Sequence, residues 1–357
     1  MNTTKMSFKS LFAGLVLFSG FALQAGNPER AGQAGATQLL INPYTRSSGM
    51  GGANTSYCRG LESQYLNVAG LAHTRKTELQ FARTAWLVGS GININTFGFS
   101  QRVGETGAIG LGIMALDGGD IPITTEAQPE GGLGTFTPLF MNIGLSYAKG
   151  FSDNIFGGIT LRVISEQISN VSAKGIAIDA GIQYVTGKMD QMHFGITLKN
   201  VGPKMSYRGD GMSTQITTLA GYVMSVEQKS QSFEMPSLVN IGVAYDFYVG
   251  KDSTGGKKDN RITASGNFTS NSFTYDQFSV GLEYGFKQYL MLRAGYTYEK
   301  DILSQTNRMT AFTGPSAGLT FELPFGESKK SSFALDYSYR FTNPFSGCHT
   351  FGARINL

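Results

Sequence analysis

The sequence lacks long hydrophobic runs and has few charged residues. Beyond residue 25, no segment of the 357 residues approaches the ~18 consecutive apolar residues that a membrane-spanning helix needs. Charged residues make up 15% of the chain, against roughly 25% in a typical soluble domain. The first absence excludes helical spans. The second is typical of strands that meet an apolar medium on one face.

Patterns that carry chemistry are also absent. No Lys/Arg-rich run is present that could follow a nucleic-acid backbone. The three histidines are far apart, with no Cys or carboxylate at metal-ligand spacing, and no complete dinucleotide-binding, P-loop or G-x-S-x-G motif occurs. Asp179 and Glu283 could act as a catalytic pair, but ionic partners for lumenal arginines are the favoured interpretation. The sequence therefore predicts no enzyme, no cofactor and no metal site.

The N-terminus is typical of a secretory signal. Lys5 and Lys9 precede the apolar stretch 11–23 (LFAGLVLFSGFAL), which is too short to span a bilayer comfortably. We expect cleavage after Ala25, so that residues 1–25 are a signal peptide and the mature protein is exported.

From Thr77 onward, apolar and polar residues alternate with the period of two that is typical of strands. Fourteen such segments occur, at 77–86, 91–101, 107–117, 139–149, 155–165, 173–184, 192–201, 237–248, 260–269, 276–284, 289–299, 316–323, 332–340 and 349–357. The alternation slips between Ile94 and Phe97, which predicts a bulge. An even number of strands that ends at the C-terminus suits a closed barrel. The predicted fold is all-β, a 14-stranded antiparallel transmembrane β-barrel over 77–357.

Loop lengths and charge placement favour the outer membrane. Connections after odd-numbered strands are long (118–138, 202–236, 300–315 and 341–348), and most of the others are short, as in outer-membrane barrels. The strand charges fall on the parity opposite the apolar set, which predicts a lumen of mixed charge. These residues are Arg162, Asp179, Lys199, Asp246, Glu283, Arg293, Glu322, Asp336, Arg340 and Arg354.

Residues 26–76 lack the alternation and are rich in small residues. We interpret them as a lumenal plug, because a 14-stranded barrel leaves space to fill; a periplasmic tail is the alternative. Glycines at the strand positions that face the lumen would make room for the plug beside the wall. Cys58 in the plug and Cys348 before the last strand could form a disulfide in an oxidising compartment. Two unpaired thiols are the alternative.

The stretch 41–72 contains RSSGMGGA followed by NVAGLA. It resembles the N-terminal signature of the PorV/PorQ-like barrels. The residues that match include Arg46, Gly49, Met50, Gly51, Gly52, Ala53, Asn67, Gly70 and Leu71. Val68 departs from the family's Pro, and the usual acidic position is neutral, with Glu62 nearby. The resemblance implies a barrel shaped like the fatty-acid transporters, in the outer membrane of a Bacteroidetes-type bacterium, that serves the type IX secretion system.

Three functions follow as hypotheses. The first is an accessory barrel of type IX protein secretion or cell-surface attachment, which binds a translocon, an attachment complex or a cargo domain. Its partner loop would be 202–236, with Met205, Tyr207, Met212, Phe233 and Met235 as adaptable contacts. The alternative is an outer-membrane transporter for a hydrophobic small molecule, which an apolar plug and an irregular wall would favour. The third is a diffusion porin. The sequence leaves open the partner, the conductance of the lumen, the redox state of the cysteines and the oligomeric state.

Overall fold

The computed structural model describes residues 26–252, 258–287, 289–326 and 331–357. The predicted signal peptide, 1–25, lies outside the described residues. In the described part of the chain, no helix has the length and apolar character needed to cross a membrane.

The helical elements are short and lie before the first strand, with one exception. Helical turns cover Thr45–Gly49 and Ser63–Leu66, and 3-10 turns cover Pro28–Arg30, Thr37–Leu40, Gly60–Glu62 and Val68–His73. A further 3-10 turn covers Asp210–Met212. The residues 26–76, which we call the plug, therefore form a chain of tight turns, as their content of small residues predicts.

The described residues form nineteen strands. They are β1 (Thr77–Ala85), β2 (Asn93–Val103), β3 (Gly107–Asp117), β4 (Ile121–Pro122), β5 (Thr135–Phe136), β6 (Leu139–Gly150), β7 (Ile155–Ile168), β8 (Val171–Thr186), β9 (Met192–Val201), β10 (Tyr207–Arg208), β11 (Ser213–Thr217), β12 (Val223–Glu227), β13 (Leu238–Asp252), β14 (Lys258–Asn271), β15 (Gln277–Phe286), β16 (Leu290–Glu299), β17 (Phe312–Phe325), β18 (Ser331–Thr342) and β19 (Cys348–Asn356).

Fourteen of these strands close into one antiparallel barrel. The order along the wall is β1-β2-β3-β6-β7-β8-β9-β13-β14-β15-β16-β17-β18-β19, and β19 pairs with β1 to complete the ring. Each of the fourteen predicted segments overlaps one of these strands, so the predicted fold class is confirmed. The remaining strands lie in connections: β4 pairs with β5, β11 pairs with β12, and β10 extends the edge of β8.

The two faces of the wall differ as the alternation predicts. On β15, Leu282 points outward and is 56% exposed, whereas the neighbouring Glu283 points into the lumen and is 5% exposed. The same contrast recurs around the ring, for example between Leu335 and Asp336 on β18. A continuous outward apolar surface suits a lipid medium, since a soluble barrel would expose charge there.

The predicted bulge in β2 is wrong. This strand pairs in continuous register with both neighbours, and Phe97 lies opposite Phe81 and Ile113. The pattern slips because Ile94 is a buried lumenal residue, whereas Phe97 faces outward. In the described residues the register shifts lie elsewhere, between Ile178 and Ala180 on β8, between Val249 and Asp252 on β13 and between Phe312 and Ser316 on β17.

The connections define two ends of the barrel. The loop end carries 118–138, 202–237 and 300–311, and the turn end carries 104–106, 151–154 and 187–191. One connection at the loop end, between β7 and β8, has only the residues Ser169 and Asn170. The C-terminal residue of β19 lies at the turn end, the periplasmic side of an outer-membrane barrel.

Candidate lumenal site

The plug runs through the lumen from one end to the other. At the loop end, the backbone N–H of Gly26 donates to Oδ2 of Asp276 over 2.7 Å. At the turn end, the Thr74 hydroxyl lies 3.2 Å from that of Ser100 on β2. Between these points the plug is buried, and Met50, Leu61 and Leu71 have no exposed surface. The predicted plug therefore fills the barrel.

Glycines on the wall bring the plug within contact distance. A Cβ on Gly295 of β16 would lie 2.3 Å from the carbonyl carbon of Met50, and one on Gly318 of β17 would lie 3.1 Å from Cα of Gly49. Plug glycines match them, since a Cβ on Gly49 would lie 2.8 Å from Cα of Gly318. Any larger residue at these contacts would separate the two backbones. This is the role predicted for inward-facing glycines.

A buried ion pair stabilises the turn that contains the glycines. Nε of Arg46 lies 2.6 Å from Oε2 of Glu62, and the guanidinium also donates to the Arg59 carbonyl over 3.0 Å. The other carboxylate oxygen of Glu62 accepts from the backbone and the hydroxyl of Ser47. In the signature, the usual acidic position is neutral in this chain. Glu62 supplies the acidic group instead. Gly51 and Gly52 follow with φ of +60° and +77°, a conformation that favours glycine.

The second half of the signature binds the plug to β8 and β9. The Asn67 amide donates to the Ile182 carbonyl over 3.0 Å, and its oxygen accepts from Ala69 N–H over 3.2 Å. Gly70 is required because a Cβ there would lie 2.0 Å from the Cys58 carbonyl oxygen. Leu71 is fully buried in an apolar cluster with Ala72, Ala108 and Ala148.

Six of the ten predicted lumenal charges form ion pairs with one another. The other four have different contacts: Lys199 with the Tyr65 ring, Asp246 with His193, Asp336 with the Thr320 hydroxyl and Arg340 with the Phe312 ring. Arg162 lies 2.5 Å from Asp179, Arg293 lies 2.6 Å from Glu283 and Arg354 lies 3.0 Å from Glu322. Glu283 also pairs with Arg261. Asp179 and Glu283 therefore belong to separate ion pairs with arginines. A wall neutralised in this way provides no strong field for attracting ions.

An apolar cluster lines the lumen near the loop end. Ile94, Met114 and Leu116 of β2 and β3 are buried there. The residues packed against them are Ile41 of the plug, Trp86, Ile92 and Phe140. Trp86, the only tryptophan of the sequence, also meets the ring of Phe312 at 5.4 Å between centroids. We call this group the apolar cluster.

A small polar pocket adjoins the apolar cluster, with Met114 common to both. It has a volume of about 30 Å³. Its lining comes from the plug (Gln38, Leu39, Pro43, Tyr44, Gln64, Tyr65) and from the wall (Thr96, Gly112, Ile113, Met114, Asn142, Gly144, Thr160, Arg162). Burial raises the pKa of the Tyr44 phenol, so this lining residue stays neutral. We call this cavity the polar pocket.

The predicted partner loop folds inward. Met205 and Met235 are buried in a cluster with Ala36 and Leu39 of the plug, and Phe233 packs against it. Tyr207 also packs on this cluster, and Met212 is half-buried. The large apolar residues that the loop exposes belong instead to the β11–β12 hairpin; Leu219 and Tyr222 at its turn are examples.

Ionic contacts fasten this loop to the plug. Glu234 lies 2.8 Å from Arg30 of the plug and 3.2 Å from Lys204 of the loop, and its carbonyl accepts from Gly35 N–H over 3.0 Å. Hydrogen bonds from the two basic residues hold the pKa of Glu234 below its usual range.

The two cysteines are free, which is the second of the two alternatives that the sequence left open. The Cys58 thiol donates weakly to carbonyl oxygens of Thr55 and Asn67 at 3.7 Å, whereas Cys348 accepts from Leu87 N–H over 3.2 Å. The sulfurs occupy separate environments, one inside the plug and one beside the connection after β1. Burial raises the pKa of the Cys58 thiol to about 12.

Comparison with known proteins finds likeness at the level of the fold. No family model and no curated protein matches the chain. Solved structures do match: the CymD monoaromatic hydrocarbon channel is 14% identical, with 88% of this chain and 96% of that chain covered and a TM-score of 0.53. The Pseudomonas putida toluene transporter TodX is 13% identical, with 88% and 97% covered and a TM-score of 0.54. A Pseudomonas aeruginosa FadL homologue is 13% identical, with 88% and 97% covered and a TM-score of 0.50. The fold is the one that these barrels share.

These neighbours overturn the resemblance to the PorV/PorQ-like barrels and, with it, the expected role in type IX secretion. The matching structures with a TM-score of 0.50 or more include hydrocarbon channels, toluene transporters and a FadL homologue. The physical reason lies in the signature itself. Its glycines allow a plug to approach a barrel wall, and Arg46 fastens the turn to Glu62. The motif therefore indicates a plugged barrel. It does not indicate a secretion partner.

Sequence reasoning did not find the apolar cluster or the polar pocket. Their residues come from the plug, from the connection after β1 and from four neighbouring wall strands, β2, β3, β6 and β7. One signal was present: Ile94 is apolar on the polar parity of β2, which is the position that builds the cluster.

Proposed function

We propose that this chain is an outer-membrane transporter for a hydrophobic small molecule. The observation that carries the proposal is the apolar cluster of the lumen. Ile94, Leu116 and Ile41 form a buried apolar surface between wall and plug, close to the loop end. A water-filled pore has no use for such a surface, whereas an apolar solute gains free energy from every Å² that it removes from water there.

The plug supports a gated passage. The polar pocket, at about 30 Å³, has room for about two water molecules, since one needs roughly 10–15 Å³. A diffusion porin would need a far wider opening. In this conformation a solute larger than water would have to displace part of the plug to enter this pocket.

An irregularity of the wall favours the same function. The ladder between β16 and β17 ends at Tyr296 and Pro315, so that Thr297–Glu299 pair only with β15. Gly314, with φ of +108°, begins this irregular part of β17. The Thr297 hydroxyl donates to the plug carbonyl of Gly51 over 3.0 Å. The part of the β16–β17 junction that lacks strand pairing therefore lies directly beside the plug.

Three further features belong to the same proposal. Residues 1–25 act as an export signal, the outward apolar surface contacts outer-membrane lipid, and the chain catalyses no reaction. Paired carboxylates such as Asp179 and Glu283 support the last point, because their arginine partners give them a structural role. A protein partner could bind the exposed β11–β12 hairpin, whereas Met205, Phe233 and Met235 pack inward.

Uptake of radiolabelled toluene by cells that express the chain tests the function. Expression should raise the uptake rate above that of the empty vector. Leu116→Asn should reduce it severalfold, because an amide in the apolar cluster opposes an apolar solute. The matched control is Leu303→Asn, on the exposed loop 300–311, which should leave uptake unchanged. Uptake equal to that of the vector in correctly inserted protein would refute the proposal.

A further inference from the structure

The polar pocket has hydrogen-bonding groups without partners. Among its lining atoms, Oε1 of Gln64, Oγ1 of Thr96, Oδ1 of Asn142 and Nε of Arg162 are buried and accept or donate no hydrogen bond. The side chains of Gln64, Thr96 and Asn142 are each more than nine-tenths buried. Buried polar groups normally have partners, so a concentration of unpaired ones around a single cavity indicates a group that fits there.

The orientation of the amides fixes the chemistry that they offer. Nε2 of Gln64 donates to the Ser146 hydroxyl over 3.1 Å, and Nδ2 of Asn142 points to the sulfur of Met114 at 3.7 Å. The oxygens of both amides point away from these contacts and are left as hydrogen-bond acceptors. The pocket presents two acceptors, one N–H donor and the Thr96 hydroxyl, which can serve either way.

The charge of the pocket is balanced. Arg162 is the one charged residue of the lining, and its guanidinium is held by Asp179 at 2.5 Å and by the Gln64 carbonyl at 3.3 Å. A second cation, Lys199, lies behind the lining over the Tyr65 ring at 3.6 Å. A second carboxylate, Glu166, accepts from Gln38 over 2.9 Å.

We propose that the polar pocket binds the hydroxyl head of a neutral amphiphile whose apolar body lies in the apolar cluster. This inference rests on the transport function proposed above and specifies its substrate class. A hydroxyl both donates and accepts, so it can bond to an amide oxygen and to Arg162 Nε together. A carboxylate would confront two amide oxygens with no proton to share, and a pure hydrocarbon would leave all four groups unpaired.

The volume of the polar pocket agrees with a head group in the pocket and an apolar body outside it. About 30 Å³ accommodates a head group but no larger body. Met114 lines both regions and joins the pocket directly to the apolar cluster. Trp86 lies in that cluster and is the only tryptophan, so its fluorescence reports an apolar body entering there.

The test titrates the full-chain barrel in lipid nanodiscs with hexan-1-ol, hexanoate and n-hexane, and follows Trp86 emission. Hexan-1-ol should produce a saturable change at a concentration about tenfold below that of the other two, the effect of one well-made hydrogen bond. Asn142→Leu should abolish this preference. Asn267→Leu, an equivalent change of a buried lumenal amide on β14, should retain it.

Asp179→Asn provides a second variant, because it removes the carboxylate that balances Arg162. This variant should shift the preference toward hexanoate. Equal affinity of the unaltered protein for hexan-1-ol and hexane would mean that two waters fill the pocket, and would overturn the inference. Tighter binding of hexanoate, or a preference that survives Asn142→Leu, would overturn it too. Toluene uptake is the independent readout: if it persists in these cases, the transport function stands and only the substrate class fails.

Discussion

Replacement of Gly295 by alanine should loosen the plug without damage to the barrel. The new Cβ would lie 2.3 Å and 2.5 Å from the carbonyl carbon and oxygen of Met50, and 2.7 Å from the Ser316 hydroxyl. The first two are backbone atoms, so no side-chain rotation relieves the overlap, and the turn around Met50 must shift. Overpacking of this kind costs about 1–3 kcal/mol.

Gly285→Ala is the matched control. This glycine also faces the lumen, but the nearest atom to its added Cβ is the Arg261 carbonyl oxygen at 3.9 Å, an ordinary contact. Neither glycine has a positive φ, so backbone strain does not separate the two variants. The difference between them measures plug contact alone.

The assay combines heat-modifiability on gels with entry of a large hydrophilic antibiotic into expressing cells. Gly295→Ala should lower the midpoint of heat unfolding and raise antibiotic entry, whereas Gly285→Ala should match the unaltered chain. If both variants behave alike in both measurements, the close approach of plug and wall at Gly295 does not stabilise the closed state, and the reasoning fails.

Three further expectations concern the lipid face, the loop and the thiols. Leu282→Arg should reduce the membrane-inserted fraction, since a lipid-facing Arg costs ~2–4 kcal/mol at the midplane; Leu219→Arg on the exposed hairpin should insert normally, and equal insertion would contradict the assignment of faces. Because the folded-state pKa of Glu234 lies below its ordinary value of 4.5, its contact with the plug should be complete above pH 4.5 and be lost as pH falls through the lowered pKa. Limited proteolysis of 202–236 should increase over that window, and Glu234→Gln should remove the pH dependence; a loop cleaved equally at every pH would rule the contact out. Cys58 should react slowly with maleimide in the native barrel, and denaturation without a reductant should release two thiols, including Cys348; a requirement for reductant would restore the disulfide.

The barrel was predictable because strand parity is a local property. The segment 239–247 alternates so regularly that its faces can be assigned without any partner, and β13 has those faces. The same rule failed at Ile94, where the plug, and not lipid, covers an apolar side chain. A local pattern cannot show which medium covers a residue when both sides of the wall are partly apolar.

The lumenal site was less predictable for a related reason. The glycine matching of plug and wall could be anticipated from residue type, and Gly318 against Gly49 bears it out. The polar pocket could not, because Asn142 and Arg162 of the neighbouring strands β6 and β7 meet Gln64 only once the plug lies inside the barrel. The inward packing of Met205 and Met235 could not be decided from the sequence either, since a flexible methionine suits a partner surface and a buried cluster equally.

The pairing of β1 with β19 has a consequence for the order of assembly. The plug is tethered directly to β1, and the last strand of the chain completes the ring, with Glu78 opposite Asn356. Before this pairing forms, the incomplete sheet is open along one side, and the plug can enter sideways. After it forms, the plug could reach its place only by threading lengthwise, past wall contacts that have no room for a single methyl group. The last strand to dock therefore encloses the plug, and a chain that closes early should yield an empty barrel.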